Sequence, residues 1–95
     1  MNNKKIKRKA AVALKYSPPK DRAPRVTAKG WGYIAERLLE VAKRHNIPIQ
    51  EDPDLIQVLA RIDIDQEIPP SVYKVVAEIL AFVYSVNKKY KESLQ

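Results

Sequence analysis

Side chains capable of catalysis are sparse in this sequence, and none stands in a catalytic pattern. The single histidine, His45, falls at the end of a predicted helix, where an imidazolium interacts well with the last carbonyl groups. A general base also needs a partner and a site, so a structural role for His45 is favoured over a catalytic one. The two glycines, Gly30 and Gly32, match neither GxGxxG nor GxxxxGK, so no phosphate-binding loop is predicted. The sequence therefore predicts a protein that is not an enzyme.

Four aspartates form two pairs of the kind found in catalytic or metal-binding sites. Asp52 and Asp54 flank a proline, as helix caps do, and Asp63 and Asp65 alternate with isoleucines. The glycine and the terminal glutamate of a calcium-binding loop are missing. Capping and solvent contact are therefore the favoured roles of these carboxylates, and neither a metal nor a cofactor is expected.

Length and composition favour one small domain. The chain has 95 residues and no cysteine, so disulfides and thiolate metal sites are excluded. No apolar run approaches the roughly 20 residues that span a membrane, and residues 10–14 fall short of the roughly 7–15 apolar residues of a secretory signal. We therefore expect a soluble, cytoplasmic protein.

The net charge of +7 is concentrated at the two ends of the chain. Residues 1–30 carry +9, residues 31–86 carry −4 and residues 87–95 carry +2. A nucleic-acid-binding domain usually presents its basic surface on the folded body, whereas basic ends are more often solvated tails. A small nucleic-acid-binding protein that uses the basic N-terminal arm stays open as the alternative function.

Apolar periodicity predicts two strands and a helix in the first half of the chain. Residues 11–16 (AVALKY) alternate as a strand does, and residues 25–29 (RVTAK) form a weaker strand after a proline-rich loop. Between Trp31 and Asn46 the apolar side chains follow a helical stripe, and Asn46 fits the position just after the helix end.

The second half predicts one further strand and two further helices. Residues 47–51 (IPIQE) place their isoleucines on one side, as in a strand. Asp52 before a proline predicts the N-cap of a short helix that runs through Ile62. Pro69 or Pro70 opens the longest helix, which has a wide apolar face.

The predicted fold is α/β, a single small domain with the order β-β-α-β-α-α. Its small sheet has about three strands, with a fourth left open, and is wrapped by three helices. The domain is predicted to cover residues 10–86. A basic flexible arm, residues 1–9, precedes it, and a polar C-terminal extension, residues 87–95, follows it.

A series of short motifs runs in order through most of the chain. They are residues 11–16 (AVALKY), 23–30 (APRVTAKG), 34–35 (IA), 47–51 (IPIQE), 66–69 (QEIP), 76–78 (VAE), 80–81 (LA) and 83–84 (VY), with Pro53, Leu55, Leu59 and Tyr73 between them. Together they resemble the cytoplasmic domain of the FlhB/YscU family. Members of that family are membrane components of the flagellar and virulence type III export apparatus.

The resemblance implies a non-enzymatic protein-binding module of the flagellar export apparatus. Family domains help to switch export from rod- and hook-type to filament-type substrates, so the expected partners are export substrates and switch proteins rather than small molecules. It also implies substrate docking on a shallow apolar patch. That patch transfers by position to Ala23 and Pro24 of the loop and to Ala77 and Leu80 of the last helix.

The sequence departs from the family in two ways. It has no transmembrane part, so it resembles a free-standing copy that acts in place of, or beside, the domain of a membrane-bound FlhB paralogue at the export apparatus. Family domains also carry a self-cleaving Asn-Pro-Thr-His motif, at the positions that Ile6, Lys7, Arg8 and Lys9 occupy in this chain. Because the asparagine and the proline are both missing, no self-cleavage is expected.

The first strand of the family domain also lacks a counterpart. In the family a strand precedes the cleavage site and pairs within the sheet, but residues 1–5 (MNNKK) are too short and too charged to form one. One sheet edge is therefore predicted to stay unpaired, and such an edge can accept a strand from another chain. The membrane-bound FlhB paralogue is the partner expected there.

Overall fold

Two antiparallel strands form the sheet of this domain. The computed structural model describes the backbone of residues 9–93 and the side chains of residues 9–85. Strand β1 covers Ala10–Lys15 and strand β2 covers Arg25–Trp31, which confirms the two strands predicted for the first half of the chain. The basic arm lies outside the described residues except for Lys9, which is exposed.

The register of the two strands places the larger apolar side chains on one face. Leu14 lies opposite Val26, which is 0% exposed, and Ala11 lies opposite Gly30 on the other face. A bulge at Ala13/Leu14 shifts the register. The sheet is therefore covered on both faces by the helices that follow.

The two edges of the sheet differ. Along β2, residues 65–68 add hydrogen bonds at the outer edge: Val26 N donates to Gln66 O at 2.9 Å, and Ile68 N donates to Pro24 O at 2.9 Å. Within residues 9–93 no segment hydrogen-bonds to the outer edge of β1. The edge predicted to stay unpaired corresponds to this side of β1, and its state stays a prediction, since residues 1–8 lie outside the described residues.

Helix α1, Tyr33–Arg44, begins and ends at residues with positive φ. Gly32 precedes it at φ 56°, a conformation that glycine adopts without steric cost. At the other end Asn46 has φ 57°, its N–H bonds to Lys43 O at 3.2 Å, and Ile47 N bonds to Ala42 O at 2.8 Å. This pair of bonds is the Schellman pattern, and it confirms the predicted position of Asn46.

The strand predicted at residues 47–51 is wrong. These residues adopt no regular secondary structure, so the described part of the chain holds two strands, not three. The Schellman turn redirects the backbone at its start, and Pro48 lacks the N–H that a strand would offer. Ile47 and Ile49 are 55% and 41% exposed, so their alternation does not mark a buried face.

Two further helices complete the fold. Helix α2 covers Pro53–Leu59, a 3₁₀ turn covers Pro70–Val72, and α3 covers Tyr73–Ser93. The predicted N-cap is confirmed, because Asp52 Oδ1 accepts from Leu55 N at 2.9 Å. Helix α3 continues past residue 86, the predicted end of the domain, through residues 87–93. The division of the chain into arm, domain and extension stays a prediction.

The apolar core lies between the sheet, α2 and the start of α3. Its buried residues are Leu55, Leu59, Ile68, Val72 and Val76. Half-buried side chains from β1 and from the next turns of α3 pack against this cluster. The core therefore fixes α3 against the sheet while leaving one side of that helix at the surface.

Candidate protein-binding site

The loop before β2 contributes two of the four residues predicted to bind a partner. Ala23 is 4% exposed and Pro24 is buried, so little of either side chain reaches the surface. The carbonyl of Pro24 accepts the hydrogen bond from Ile68 N, which fixes the end of the loop against the segment before α3. These two residues therefore contribute little exposed area themselves, and they hold the loop in place beneath the surface.

Helix α3 contributes the other two predicted residues. Ala77 is exposed, whereas Leu80 is half-buried and packs against the core. Ile68 joins the two halves of the patch, since its N–H bonds to Pro24 and its side chain belongs to the cluster on which Leu80 packs. A binding role for these four residues stays a prediction.

Two tyrosines extend the exposed side of α3 beyond the predicted patch. Tyr73, Ala77, Leu80 and Tyr84 follow the spacing i, i+4, i+7, i+11, which puts them on one side of the helix. Tyr73 is 44% and Tyr84 is 68% exposed. Tyr73 was not among the predicted patch residues. Its position four residues before Ala77 could have indicated it, because residues at that spacing share one side of a helix. We call these four residues the α3 stripe.

A groove opens on the other side of α3. Its volume is about 300 Å³, and it is lined by Gln50, Asp52, Val75, Glu78, Ile79 and Phe82. Three of these side chains are apolar, and two carry carboxylates. This groove is too open to enclose a small ligand, and its chemistry suits a protein side chain better.

The hairpin end of the sheet is strongly basic. Lys15 and Arg25 are opposite each other at the ends of β1 and β2, and the loop between them carries Lys20 and Arg22. Asp21 is the acid within this loop, and its Oδ2 accepts from Ser17 N at 2.9 Å. The sequence identified these charges, but only the register shows that Lys15 and Arg25 are neighbours.

The residues considered for catalysis are separated in the structure. His45 is exposed at the end of α1, where its backbone N–H donates to Val41 O at 3.1 Å. Asp63 and Asp65 are exposed in the connection after α2. Among the described residues, no group of three or more His, Cys, Asp or Glu side chains is placed to hold a metal ion. No described helix is long and apolar enough to cross a membrane.

A model of the FlhB HrpN YscU SpaS family matches residues 8–83. The chain belongs to this family. Uncharacterized protein YlqH of Bacillus subtilis (strain 168) is 42% identical over 81 residues, which are 85% of this chain and 87% of YlqH. Flagellar biosynthetic protein FlhB of Aquifex aeolicus (strain VF5) is 46% identical over 80 residues, which are 83% of this chain and 23% of FlhB.

The fold agrees with a solved FlhB domain. The crystal structure of the cytoplasmic domain of FlhB from Shewanella putrefaciens matches with a TM-score of 0.80 at 36% identity, over 87% of this chain and 65% of that one. The resemblance inferred from the short motifs and the α/β fold class are therefore confirmed. The chain spans about a quarter of the length of the FlhB relative from Aquifex aeolicus (23%).

The family model covers all four residues of the predicted patch, but only part of residues 6–9, which stand where the family has its self-cleaving motif. Ala23, Pro24, Ala77 and Leu80 all lie within residues 8–83. Of the four residues that replace the self-cleaving motif, Ile6, Lys7 and Arg8 lie outside the described residues. The nucleic-acid alternative depends on this same segment, so it stays a prediction.

Proposed function

We propose that the chain is a protein-binding module of the flagellar (type III) export apparatus. It binds export substrates or the substrate-specificity switch, in place of or beside the cytoplasmic domain of a membrane-bound FlhB paralogue. The observation that carries this proposal is the FlhB family match over residues 8–83, supported by the fold shared with the FlhB cytoplasmic domain. In this role the chain acts in the cytoplasm, is recruited to the membrane-bound apparatus, and performs no catalysis.

The α3 stripe is the surface that we assign to the partner. Tyr73 and Tyr84 supply large, rigid contact areas at its two ends, and Ala77 leaves a shallow step between them. Leu80 anchors the stripe to the core, so the surface is held in one shape before binding. Ala23 and Pro24 support it indirectly, because the loop they end is fixed to Ile68.

Charging the stripe tests the proposal. Ala77→Asp places a carboxylate on the exposed side of α3 without disturbing a buried side chain, so the domain should fold normally. We expect it to weaken binding of a hook-type or filament-type export substrate by at least about tenfold in calorimetry. The matched control is Ser85→Asp, which adds the same charge at an exposed position of the same helix, outside the stripe.

Leu80→Asp should perturb the stripe more strongly than Ala77→Asp, but it can also destabilise the fold. Leu80 packs on the core, so its effect on binding counts only if circular dichroism and thermal unfolding show an intact domain. If Ala77→Asp and a folded Leu80→Asp both bind the substrate as tightly as the unchanged protein, the stripe is not the docking surface. Loss of binding in Ser85→Asp to the same extent would also contradict the assignment.

The open edge of β1 supports a second partner, the membrane-bound FlhB paralogue. Gly32 N donates to Lys9 O at 2.7 Å, so alternate residues of β1, starting with Ala10, direct their backbone groups away from β2. Val12 and Leu14 share this orientation. The outer edge therefore offers three successive N–H and C=O pairs to an added strand.

Amide hydrogen exchange tests strand addition at this edge. When the strand that precedes the cleavage site in the paralogue is added as a peptide, exchange at Ala10, Val12 and Leu14 should slow, while Ala11 and Ala13, already paired with β2, should change little. Exchange rates that stay the same at all five residues would rule out this mode of binding.

A further inference from the structure

Two basic residues face each other at the hairpin end, and among the described residues neither forms an ion pair. Lys15 on β1 and Arg25 on β2 are direct cross-strand neighbours, and like charges in this position repel. The ion pair seen among the described residues is elsewhere, between Arg37 and Glu40 at 2.8 Å. No described carboxylate comes within 4.0 Å of Lys15 or Arg25. The pair is therefore an unfavourable feature of the isolated domain.

The guanidinium of Arg25 adds a second unfavourable feature at the same place. Its Nε is buried and has no hydrogen-bond partner among the described residues. Buried donors are nearly always paired, and one without a partner costs free energy. The backbone of Arg25 is paired on both sides, with Lys15 on β1 and with Glu67 in the bridge at the other edge, so the position of its Cα is fixed.

Neighbouring carboxylates offset this pair only in part. Glu67 lies across from Arg25 in the bridge at the other edge, but its carboxylate does not come within 4.0 Å of the guanidinium. Lys20 and Arg22 are exposed in the loop that joins the two strands. Asp21 is bound to the backbone of Ser17, which directs its carboxylate into the loop. The hairpin end thus carries four cations, Lys15, Lys20, Arg22 and Arg25, against the two carboxylates of Asp21 and Glu67.

We propose that this hairpin end is a binding site for carboxylates, and that its ligand is an acidic segment of a partner protein. The planar guanidinium of Arg25 matches a carboxylate group, and a second carboxylate bridging toward Lys15 removes the cross-strand repulsion. That the partner is a protein rests on the proposed function. The formal charge of −4 on residues 31–86 also disfavours a long polyanion such as nucleic acid, which would run past the hairpin onto the acidic body.

The resonance of the Arg25 Nε–H group in nuclear magnetic resonance spectra gives a direct test. It is assigned by its disappearance in Arg25→Gln. Addition of a glutamate-rich peptide should shift it, and a peptide of the same sequence with glutamine in place of glutamate should not. The dissociation constant for the glutamate peptide should rise by at least about tenfold in the double variant Lys15→Gln/Arg25→Gln. The control Lys43→Gln, an exposed lysine of α1, should leave it unchanged.

Three results would overturn the proposal. They are an Arg25 resonance that does not respond to the glutamate peptide, an equal response to the glutamine peptide, and equal weakening in Lys43→Gln. Inorganic phosphate or duplex DNA that displaces the peptide at matched ionic strength would overturn the choice of a carboxylate ligand. The proposed function is tested separately, and it fails if export substrates do not bind the unchanged protein. If substrates bind and Ala77→Asp weakens that binding, but the glutamate peptide does not bind, only the carboxylate site is refuted.

Discussion

The ammonium group of Lys29 on β2 donates hydrogen bonds to two carbonyls that follow α2. Its Nζ lies 2.8 Å from Ile62 O and 3.2 Å from Ala60 O. The same nitrogen lies 5.8 Å from the centre of the Trp31 ring, within the range of a cation–π contact. One half-buried lysine thereby joins the sheet to the end of α2, where carbonyl groups without helical partners attract a cation.

Replacing Lys29 should destabilise the domain measurably. Lys29→Met keeps the aliphatic stem but loses both hydrogen bonds, so we expect the free energy of unfolding to fall by about 1–3 kcal/mol. Urea denaturation followed by circular dichroism measures this. Lys43→Met, at an exposed site of α1, is the control and should change stability by less than about 0.5 kcal/mol. Equal stability of the two variants would show that the Lys29 bonds contribute nothing.

Gly30 should tolerate no larger side chain while Ile34 is present. A Cβ at Gly30 would overlap Ile34 Cγ2 and lie 2.8 Å from Ile34 Cβ, so Gly30→Ala should lower stability by about 1–3 kcal/mol. Ile34→Ala removes the overlap with Cγ2 but keeps the Cβ at 2.8 Å, so it should restore part of the loss. A double-mutant cycle in thermal unfolding measures this coupling, and simple additivity of the two changes would contradict it.

Local patterns predicted most of the elements of this fold. The strands of the hairpin, the positions of Asn46 and Asp52 at helix ends and the long α3 all follow from periodicity and capping chemistry. The strand at residues 47–51 was wrong because alternation of two isoleucines does not specify a strand when no neighbouring strand is available to pair with it. That depends on tertiary structure.

The surface was harder to predict than the fold, for the same reason. The helical stripe of α1 predicts a buried face, yet Ile34 is 53% and Val41 is 38% exposed, because the sheet is too narrow to cover the whole face. The burial of Ala23 and the pairing of Lys15 with Arg25 depend on loop closure and strand register. Neither can be read from a single segment of sequence.

Asp52 should contribute the stability of one helix cap. Its Oδ1 accepts from Asp54 N at 3.1 Å and from Leu55 N at 2.9 Å, so Asp52→Ala should cost about 1 kcal/mol. Asp52→Asn keeps the accepting oxygen and should retain most of that stability. Urea denaturation of both variants separates the loss of the hydrogen bonds from the loss of charge. If Asn is as harmful as Ala, the charge rather than the cap is responsible.

The chain should not cleave itself. Family domains break the bond between the asparagine and the proline of their motif, and this chain has Ile6 and Lys7 at those positions. We expect one intact mass in spectrometry after prolonged incubation of the purified protein, with a self-cleaving FlhB cytoplasmic domain as the positive control. A fragment cut between Ile6 and Lys7 would contradict the expectation.

Removing one of the facing cations should stabilise the unbound domain. Lys15→Gln ends the repulsion across the strands, so the free energy of unfolding should rise by about 0.5 kcal/mol at low ionic strength, and by less in high salt. Lys43→Gln should show no such salt-dependent gain. If Lys15→Gln is less stable than the unchanged protein, the two cations do not repel. A glutamate-rich peptide should in turn stabilise the unchanged protein more than the variant, because only the former has a repulsion for the ligand to remove.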